Sequence, residues 1–281
     1  MVRPLAAVAQ VGFDNRLWTC IIALEPLPKS TSSAICRPTI GASLIDELWN
    51  GLRQAIDLLL NPDSALTEIV ALSLRVSGIA LFFSTLVGVP VGAALGLWRF
   101  MGRKLLVAFM YTGMGFPPVV IGLLVYLLLS RSGPLGQLNS PLVPSLFTPG
   151  AMIMAQTIIA FPLVAGFTMA AVMGVDPQLR QQVESLGATT WQTAWTVVAE
   201  ARIGVIVAVI AGFGGIISEV GAVMLVGGNI DGRTRVLTTA IVLETRKGNF
   251  DLAISLGLIL LGITFVINAL MMRLQGRSFD T

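Results

Sequence analysis

Five long apolar stretches, separated by shorter polar segments, dominate the chain from about residue 66 onward. They cover about residues 66–98, 105–130, 149–173, 203–227 and 252–272. Each is long enough to cross the ~30 Å hydrocarbon core of a bilayer, which takes about 20 helical residues. The pattern predicts an all-α integral membrane protein with about five transmembrane helices, in a transmembrane domain over residues 66–273.

Small residues and prolines distinguish individual stretches. Gly88, Gly92 and Gly96 recur at every fourth position of the first stretch, which predicts a face that another helix approaches closely. Prolines interrupt the second stretch at Pro117-Pro118 and the third stretch at Pro162. Because proline removes a helical hydrogen bond, these positions predict static kinks in preference to hinges.

The N-terminal part of the chain has a different pattern. Residues 1–42 contain scattered arginines and prolines and no clear apolar period, and their apolar run at 17–24 is too short to span a membrane. We interpret 1–42 as a poorly ordered tail or a spurious extension. Residues 43–62 instead predict an amphipathic helix in the plane of the membrane interface. Its apolar residues at helical spacing are Leu44, Leu48, Trp49, Leu52, Ile56 and Leu59.

The composition agrees with a membrane protein. Hydrophobic residues make up 55% of the chain and charged residues 12%, and the mean hydropathy is +0.84. A soluble domain carries about 25% charged residues, since its surface must meet water. The net charge of +3, without any run of Lys or Arg, argues against nucleic acid as a partner.

The residue inventory excludes several kinds of catalytic site. The chain contains no histidine, so it has no His-based catalytic triad and no His-ligated metal site. Its two cysteines, Cys20 and Cys36, show no metal-binding spacing. The P-loop pattern GxxxxGK[ST] is also missing, so ATP would have to be hydrolysed on a separate subunit. We therefore predict no catalytic residue, no metal and no cofactor in this chain.

The polar segment 174–202 carries the strongest local signals. Asp176 followed by Pro177 predicts a helix start, and Gly187 predicts its end in the left-handed conformation. Thr189 with Gln192 resembles a capping box that opens a second helix. We expect one apolar stripe from Leu179, Val183 and Leu186 and another from Trp191, Trp195 and Val198. A rigid helix–glycine–helix unit is suited to pass motion from a soluble partner into the attached spans.

This segment resembles the EAA loop of binding-protein-dependent ABC importer permeases. That motif reads E-A-A, three residues, G, and nine residues later I-x-L-P. Gly187 stands at the glycine of the motif, whereas Gln181, Gln182 and Val183 replace E-A-A and Ala199-Glu200 replaces Leu-Pro. The resemblance implies that this loop couples to an ATPase. The residues it assigns to coupling are Gln181, Glu184, Ser185, Leu186, Gly187, Ala188 and Thr189.

A second resemblance concerns residues 217–245. The runs 217–222, 226–235 and 238–245 are similar to the fourth span and outer loop of molybdate and tungstate permeases, and 238–245 is closest to the tungstate branch. The resemblance covers roughly residues 45–275 and implies the MetI-like, type I permease fold. It also implies a homodimer in a bacterial plasma (inner) membrane, an external oxyanion-binding protein, and two ATP-binding subunits that hold ATP and Mg²⁺. The EAA loop would then be cytoplasmic and the N-terminus external, an orientation that charge bias alone leaves undecided.

Several polar residues near the fourth span are candidates for the translocation path or its gate. They are Ser218, Glu219, Gly221, Asn229, Arg233 and Arg235. A carboxylate repels an anionic substrate, so we expect Glu219 to pair with Arg202 or an outer-loop arginine rather than to gate directly. Ser218 and the neighbouring glycines could offer hydroxyl and backbone donors that bind an oxyanion weakly. Arg233 and Arg235 either steer an incoming anion or are solvated loop charges balanced by Asp231.

The function predicted from these features is ATP-driven import of an oxyanion, with tungstate as the preferred substrate. Molybdate, and after it sulfate, are alternatives within the same class. An ion-coupled secondary transporter is an alternative of a different class, but the sequence shows no evident internal repeat and only one strong buried charge, Glu219. A membrane enzyme is disfavoured because no nucleophile–base arrangement is present.

Overall fold

A computed structural model describes residues 40–61, 64–138, 140 and 143–274. Within these ranges the regular structure is entirely helical. The predicted tail at 1–42 lies outside the described residues except for its last three. The α-helices are α1 (Ile40–Leu60), α2 (Ser64–Leu97), α3 (Arg103–Met114), α4 (Pro118–Leu129), α5 (Pro149–Met173), α6 (Pro177–Ser185), α7 (Thr190–Glu200), α8 (Arg202–Ile217), α9 (Gly221–Gly227), α10 (Leu237–Lys247) and α11 (Phe250–Leu274).

Three of these helices, α2, α5 and α11, are each long and apolar enough to cross a membrane. Two bent pairs also qualify when each pair is counted as one span: α3 with α4, bent by 103°, and α7 with α8, bent by 64°. The fold is therefore that of a multi-pass membrane protein with up to five spans in its described part.

The α2–α5 contact forms the centre of the fold. A methyl group added at Gly96 would lie 2.8 Å from Val172 Cγ1, and one added at Gly92 would lie 2.8 Å from Thr168 Cβ. The two backbones approach this closely because the facing positions on α2 carry no side chain. The predicted close-packing face is confirmed. Around this contact lie the largest fully buried side chains of α5, Met152 and Met169.

The second predicted span is two 12-residue helices rather than one kinked helix. Pro117 is the N-cap of α4 and Pro118 is its first residue, a position where a missing N–H group costs nothing. By contrast, α5 continues through the buried Pro162. The proline pair therefore starts a new helix in a new direction, whereas the single proline is accommodated within its helix.

The fourth predicted span, 203–227, is wrong as a continuous helix. α8 ends at Ile217 and α9 begins at Gly221, so the chain breaks at Ser218–Val220. The apolar pattern conceals this break because both sides of it are hydrophobic. Glu219 therefore lies in a non-helical segment next to Ser218, and not in the middle of a continuous apolar helix.

The helix α1 begins at Ile40, slightly before the predicted start at residue 43. In its described part, Gly51 packs against α11, where Ser255 Oγ donates a hydrogen bond to Gly51 O at 3.0 Å. The large apolar residues Trp49, Leu52 and Ile56 are exposed. An exposed apolar face is what an interfacial helix requires, and the location of α1 at the membrane surface stays a prediction.

Candidate functional site

The helices α6 and α7 form a short helix pair between α5 and α8. Asp176 caps α6, and its Oδ1 accepts a hydrogen bond from Gln178 N at 2.8 Å. Pro177 follows as the first helical residue. The aspartate satisfies a backbone N–H group that has no partner within the helix, so α6 starts at a defined residue.

The end of α6 is equally well defined. Gly187 has φ +85°, in the left-handed region, and its N–H group bonds Glu184 O at 3.0 Å. Ala188 N then bonds Val183 O at 3.3 Å. A Cβ atom at Gly187 would meet nothing within 4 Å, so only the backbone conformation selects glycine here.

A capping box opens α7, as the sequence predicts. Thr189 N donates to Gln192 Oε1 at 2.8 Å, and Gln192 N donates to Thr189 Oγ1 at 3.4 Å. Together with the capped α6, this arrangement fixes both helices on either side of one glycine. The predicted helix–glycine–helix unit is confirmed as a structure.

The two predicted apolar stripes are packed only in part: Leu179, Val183 and Val198 are half-buried, and the other three residues are exposed. Leu186, Trp191 and Trp195 are 88%, 71% and 70% exposed. The packed face of α7 instead consists of Thr193, Ala194 and Val197. Small residues allow α7 to lie close to the ends of α2 and α5, whereas the bulky tryptophans project outward.

We use the term coupling surface for Gln181, Glu184, Ser185, Leu186, Gly187, Ala188 and Thr189. All seven lie at the junction of α6 and α7, and all are exposed except the half-buried Ala188. On α6, Gln178, Gln181, Gln182, Ser185 and Leu186 line a wide, open depression. The surface is thus largely polar and accessible, as a site that docks another protein must be.

The sequence analysis missed Arg180, which ties the coupling surface to α2. Arg180 Nη1 donates to Leu97 O, the last residue of α2, at 3.0 Å. Its Nε also bonds Glu184 Oε1 at 3.2 Å. Because helix C-terminal carbonyls lack partners within the helix, an arginine is a favourable cap for them. The one feature of the sequence that could have indicated this role is a cation shortly after the third apolar stretch.

The connections on both sides of the unit are short. Three residues, 174–176, separate α5 from α6, and Ala201 alone separates α7 from α8. Because these connections are short, a displacement of α6 and α7 must also move the adjoining ends of α5 and α8. The hydrogen bond from Arg180 to Leu97 O also connects the helix pair to α2.

The break between α8 and α9 places Glu219 differently from the prediction. Glu219 Oε1 accepts a hydrogen bond from Ala222 N at 2.9 Å, and Thr238 Oγ1 donates to Glu219 O at 3.1 Å. Among the described residues no arginine pairs with this carboxylate. The expected partner is wrong because the chain break exposes the start of α9, whose N–H groups attract a negative charge.

Ser218 and Gly221 flank this carboxylate. The exposed Ser218 hydroxyl donates to Gly214 O at 2.8 Å, so its proton is engaged within its own helix turn. Gly221 lies against Val119 of α4. The structure thus brings Ser218, Glu219 and Gly221 together, while α9 separates them from the other path candidates.

Those other candidates lie in the loop between α9 and α10. Thr234 is fully buried, donates to Gly227 O at 2.6 Å and accepts from Ile230 N at 2.9 Å. Asn229 has φ +51° and a buried Oδ1 without a partner among the described residues. Arg235 Nη1 pairs with Asp231 Oδ1 at 2.7 Å, whereas Arg233 is exposed. The charge of Arg235 is thus balanced by Asp231. Arg233, the other arginine of this loop, forms no ion pair with a described residue.

A buried polar cluster near the α8–α9 break was not predicted. Gln156 of α5 donates from Nε2 to Ile216 O at 3.1 Å, and its Oε1 has no partner among the described residues. It lines a cavity of about 10 Å³ with Ser73, Ser77 and Thr238. Ser73 Oγ also accepts from Leu237 N at 2.8 Å. The cluster holds the start of α10, a helix that the sequence analysis left as part of a loop.

The fold and this exposed helix pair define a transporter membrane subunit. A family model described as "binding-protein-dependent transport system inner membrane component" matches residues 88–278. The chain belongs to this family: it is the multi-pass inner-membrane component of a transport system and not itself an enzyme.

Individual relatives agree with this assignment. The chain is 45% identical over 218 residues to a probable anion ABC transporter permease protein of Haloferax volcanii, covering 76% of this chain and 92% of that protein. It is 39% identical over 231 residues to a tungstate uptake system permease protein of Peptoclostridium acidaminophilum, covering 82% of this chain and 99% of that protein.

Solved structures support the fold alone. The chain matches a bacterial alginate ABC transporter with a TM-score of 0.66 and 19% identity, covering 85% of this chain and 92% of the matched chain. It matches the MetNI methionine ABC transporter with a TM-score of 0.61 and 18% identity, covering 75% and 94% of the two chains. The predicted MetI-like permease fold is confirmed.

Proposed function

We propose that this chain is the permease subunit of an ATP-driven importer that moves tungstate into the cytoplasm. The observation that carries the proposal is the 39% identity to a tungstate uptake permease over 99% of that protein's length. A further relative, a tungstate uptake permease of Campylobacter jejuni, is 34% identical over 231 residues. A molybdenum transport permease of Escherichia coli is 30% identical over 176 residues, a shorter alignment.

The proposed assembly contains two copies of this chain, two ATP-binding subunits and an external oxyanion-binding protein. The ATP-binding subunits hold ATP and Mg²⁺. The coupling surface docks on them from the cytoplasmic side. Its exposed Leu186, on a turn fixed by caps at Asp176 and Thr189, gives the partner a rigid projection to grip.

Motion then passes from the coupling surface into the membrane. The one-residue connection at Ala201 between α7 and α8 carries it toward the α8–α9 break. The Arg180–Leu97 hydrogen bond carries it to α2, whose glycine face is packed on α5. Because close-packed helices shift as units, a small displacement at Gly187 changes the arrangement of three spans.

The electrostatics require an energy source of this kind. Moving a charge inward against a negative interior costs about 2.3 kcal/mol per 100 mV, so a dianion costs about twice that. The break itself, Ser218–Val220, carries no cation. A conduit must bind its substrate weakly enough to release it, and a segment without a fixed cation meets that requirement.

The proposal is tested in proteoliposomes that contain this chain, its ATP-binding subunit and the external binding protein. We expect tungstate to accumulate only when ATP and all three proteins are present. Accumulation without the ATP-binding subunit, driven by an ion gradient, would contradict the proposal and favour a secondary transporter.

The substrate is tested separately by calorimetry on the external binding protein. We expect tighter binding of tungstate than of molybdate and of sulfate. A preference for molybdate would overturn the choice of tungstate while leaving the ATP-driven import mechanism unaffected.

A further inference from the structure

A basic pocket lies beside the coupling surface, between the ends of α2 and α5 and the start of α6. Its volume is about 290 Å³, far more than the ~10–15 Å³ that one water molecule needs. Val172, Val175 and Val197 contribute to its apolar wall. Three arginines line it as well: Arg99, Arg103 and Arg180. Asp176 is the one carboxylate in the lining, and it is engaged in capping α6.

Two of these arginines are anchored and still have donors to spare. Arg103 donates from Nε to Leu95 O at 2.7 Å and from Nη2 to Met173 Sδ at 3.5 Å. Arg180 donates to Leu97 O and to Glu184 Oε1. Since a guanidinium carries five N–H donors, each keeps three that no described group accepts. Anchoring fixes the guanidinium groups in place, so little rotamer entropy is lost when an anion binds.

Arg99 completes the pocket and is the accessible member of the three. It is exposed, and none of its donors bonds a described group. Its neighbours in the α2–α3 connection, Trp98, Phe100 and Met101, are exposed large apolar residues. Aromatic residues next to cations are typical of the level where headgroups meet hydrocarbon. This composition is what a pocket at the level of the lipid phosphate groups requires.

We propose that this arginine pocket binds the phosphate group of an anionic phospholipid headgroup. Guanidinium groups suit this ligand because they form charge-assisted, forked hydrogen bonds to phosphate oxygens. The apolar side chains at the connection contact the acyl region, and the three arginines hold the headgroup. Free inorganic phosphate offers the same oxygen chemistry and is the alternative source.

The test uses the purified full chain in a neutral detergent, titrated with short-chain phosphatidylglycerol, with phosphatidylcholine of the same chain length and with inorganic phosphate. Binding is read by native mass spectrometry. The variant is Arg99→Gln, since Arg99 is exposed and makes no hydrogen bond that the fold requires. The matched control is Arg131→Gln, an exposed arginine beyond α4 and outside the pocket.

We expect phosphatidylglycerol to bind more tightly than phosphatidylcholine. Arg99→Gln should weaken phosphatidylglycerol binding about fivefold, as expected for loss of one cation near an anionic headgroup. Arg99→Lys should retain most of the affinity and Arg131→Gln all of it. Equal binding of the two lipids, or equal affinity of Arg99→Gln and wild type, would overturn the proposal. Binding of inorganic phosphate without preference for phosphatidylglycerol would overturn the lipid assignment.

Discussion

The two segments that connect the later spans are stabilised in different ways. The α6–α7 unit is defined by local signals: an aspartate cap, a left-handed glycine and a capping box, all within a few residues of the helices they bound. The α9–α10 segment is instead defined by contacts from distant parts of the chain. Ser73 of α2 bonds the start of α10, and Thr238 bonds the α8–α9 break.

Under the proposed function, this difference separates a docking element from a structural one. A locally defined unit keeps its shape without covering its surface, so Leu186 and the two tryptophans stay available to another protein. In the α9–α10 segment, the hydroxyl groups of Thr234, Thr238 and Thr239 are buried and bonded within the fold. Substitutions in the first should impair transport before stability, and substitutions in the second should impair stability first.

The largest expected effect on transport is that of Gly187→Val. The left-handed conformation costs a residue with a side chain about 1–2 kcal/mol, and a β-branched residue suffers most. We expect ATP-driven uptake to fall roughly tenfold while the amount of protein in the membrane is unchanged, because the strain distorts an exposed turn. Uptake is measured in proteoliposomes alongside ATP hydrolysis.

The control is Gly248→Val, at a glycine with φ +81° and equally open space but at the end of α10. Its backbone strain is the same, yet uptake per unit of protein should stay close to wild type. Equal loss of uptake in the two variants would show that strain, and not position, is responsible.

Thr234→Val tests the buried part of the segment between α9 and α10. The change keeps the shape but removes two hydrogen bonds, to Gly227 O and from Ile230 N, both within a fully buried site. We expect a loss of about 2–4 kcal/mol in the free energy of unfolding, since each buried group left unpaired costs about 1–3 kcal/mol. Thermal unfolding in detergent measures it, with Thr245→Val, an exposed threonine, as the neutral control.

Thr189→Ala tests the local definition of α7. Removing the cap should cost about 1 kcal/mol of helix stability. We expect faster hydrogen exchange of the amides of the first turn of α7 and unchanged exchange in α10. Thr190→Ala, next to it and likewise exposed, should leave the exchange rates as they are. Unchanged exchange in Thr189→Ala would mean that tertiary packing, rather than the cap, defines this helix.

The smallest effect concerns Glu244 at the end of α10. Hydrogen bonds from Lys247 and Asn249 lower the pKa of Glu244 below its ordinary value. The ionised form is thus favoured in the folded protein, and its stabilisation is present at neutral pH and lost as the pH falls through the lowered pKa. Glu244→Gln should destabilise by less than about 1 kcal/mol at neutral pH, since Lys247 is half exposed. The difference from wild type should disappear in acid, and a difference that grows in acid would contradict this account.

The sequence predicts what depends on neighbouring residues and fails where distant residues decide. The caps at Asp176 and Thr189 and the turn at Gly187 follow from residue types a few positions apart. The close packing at Gly92 follows from the four-residue spacing of small residues. The break at Ser218–Val220 does not follow, because an apolar pattern continues on both sides of it.

The candidate site shows the same division. The helix–glycine–helix structure around the coupling surface is predicted from the sequence because neighbouring residues define it. The partner of Glu219 is not, since the N–H group of Ala222 becomes free only once the helix breaks. Arg180 is also missed, because its acceptor at Leu97 lies 83 positions earlier in the chain. Gln156 stands out as a polar residue in an apolar span, yet its contact with Ile216 requires the fold.

The most direct test of the central claim is site-specific photo-crosslinking at Leu186. With Cys20 and Cys36 replaced by serine, Leu186→Cys carries a benzophenone label in the assembled, active complex, and Leu138→Cys, also an exposed leucine, carries it as the control. The account predicts a covalent product between the ATP-binding subunit and position 186, and none with position 138. An active complex in which position 186 yields no such product would contradict the assignment of α6 and α7 as the ATPase-docking element.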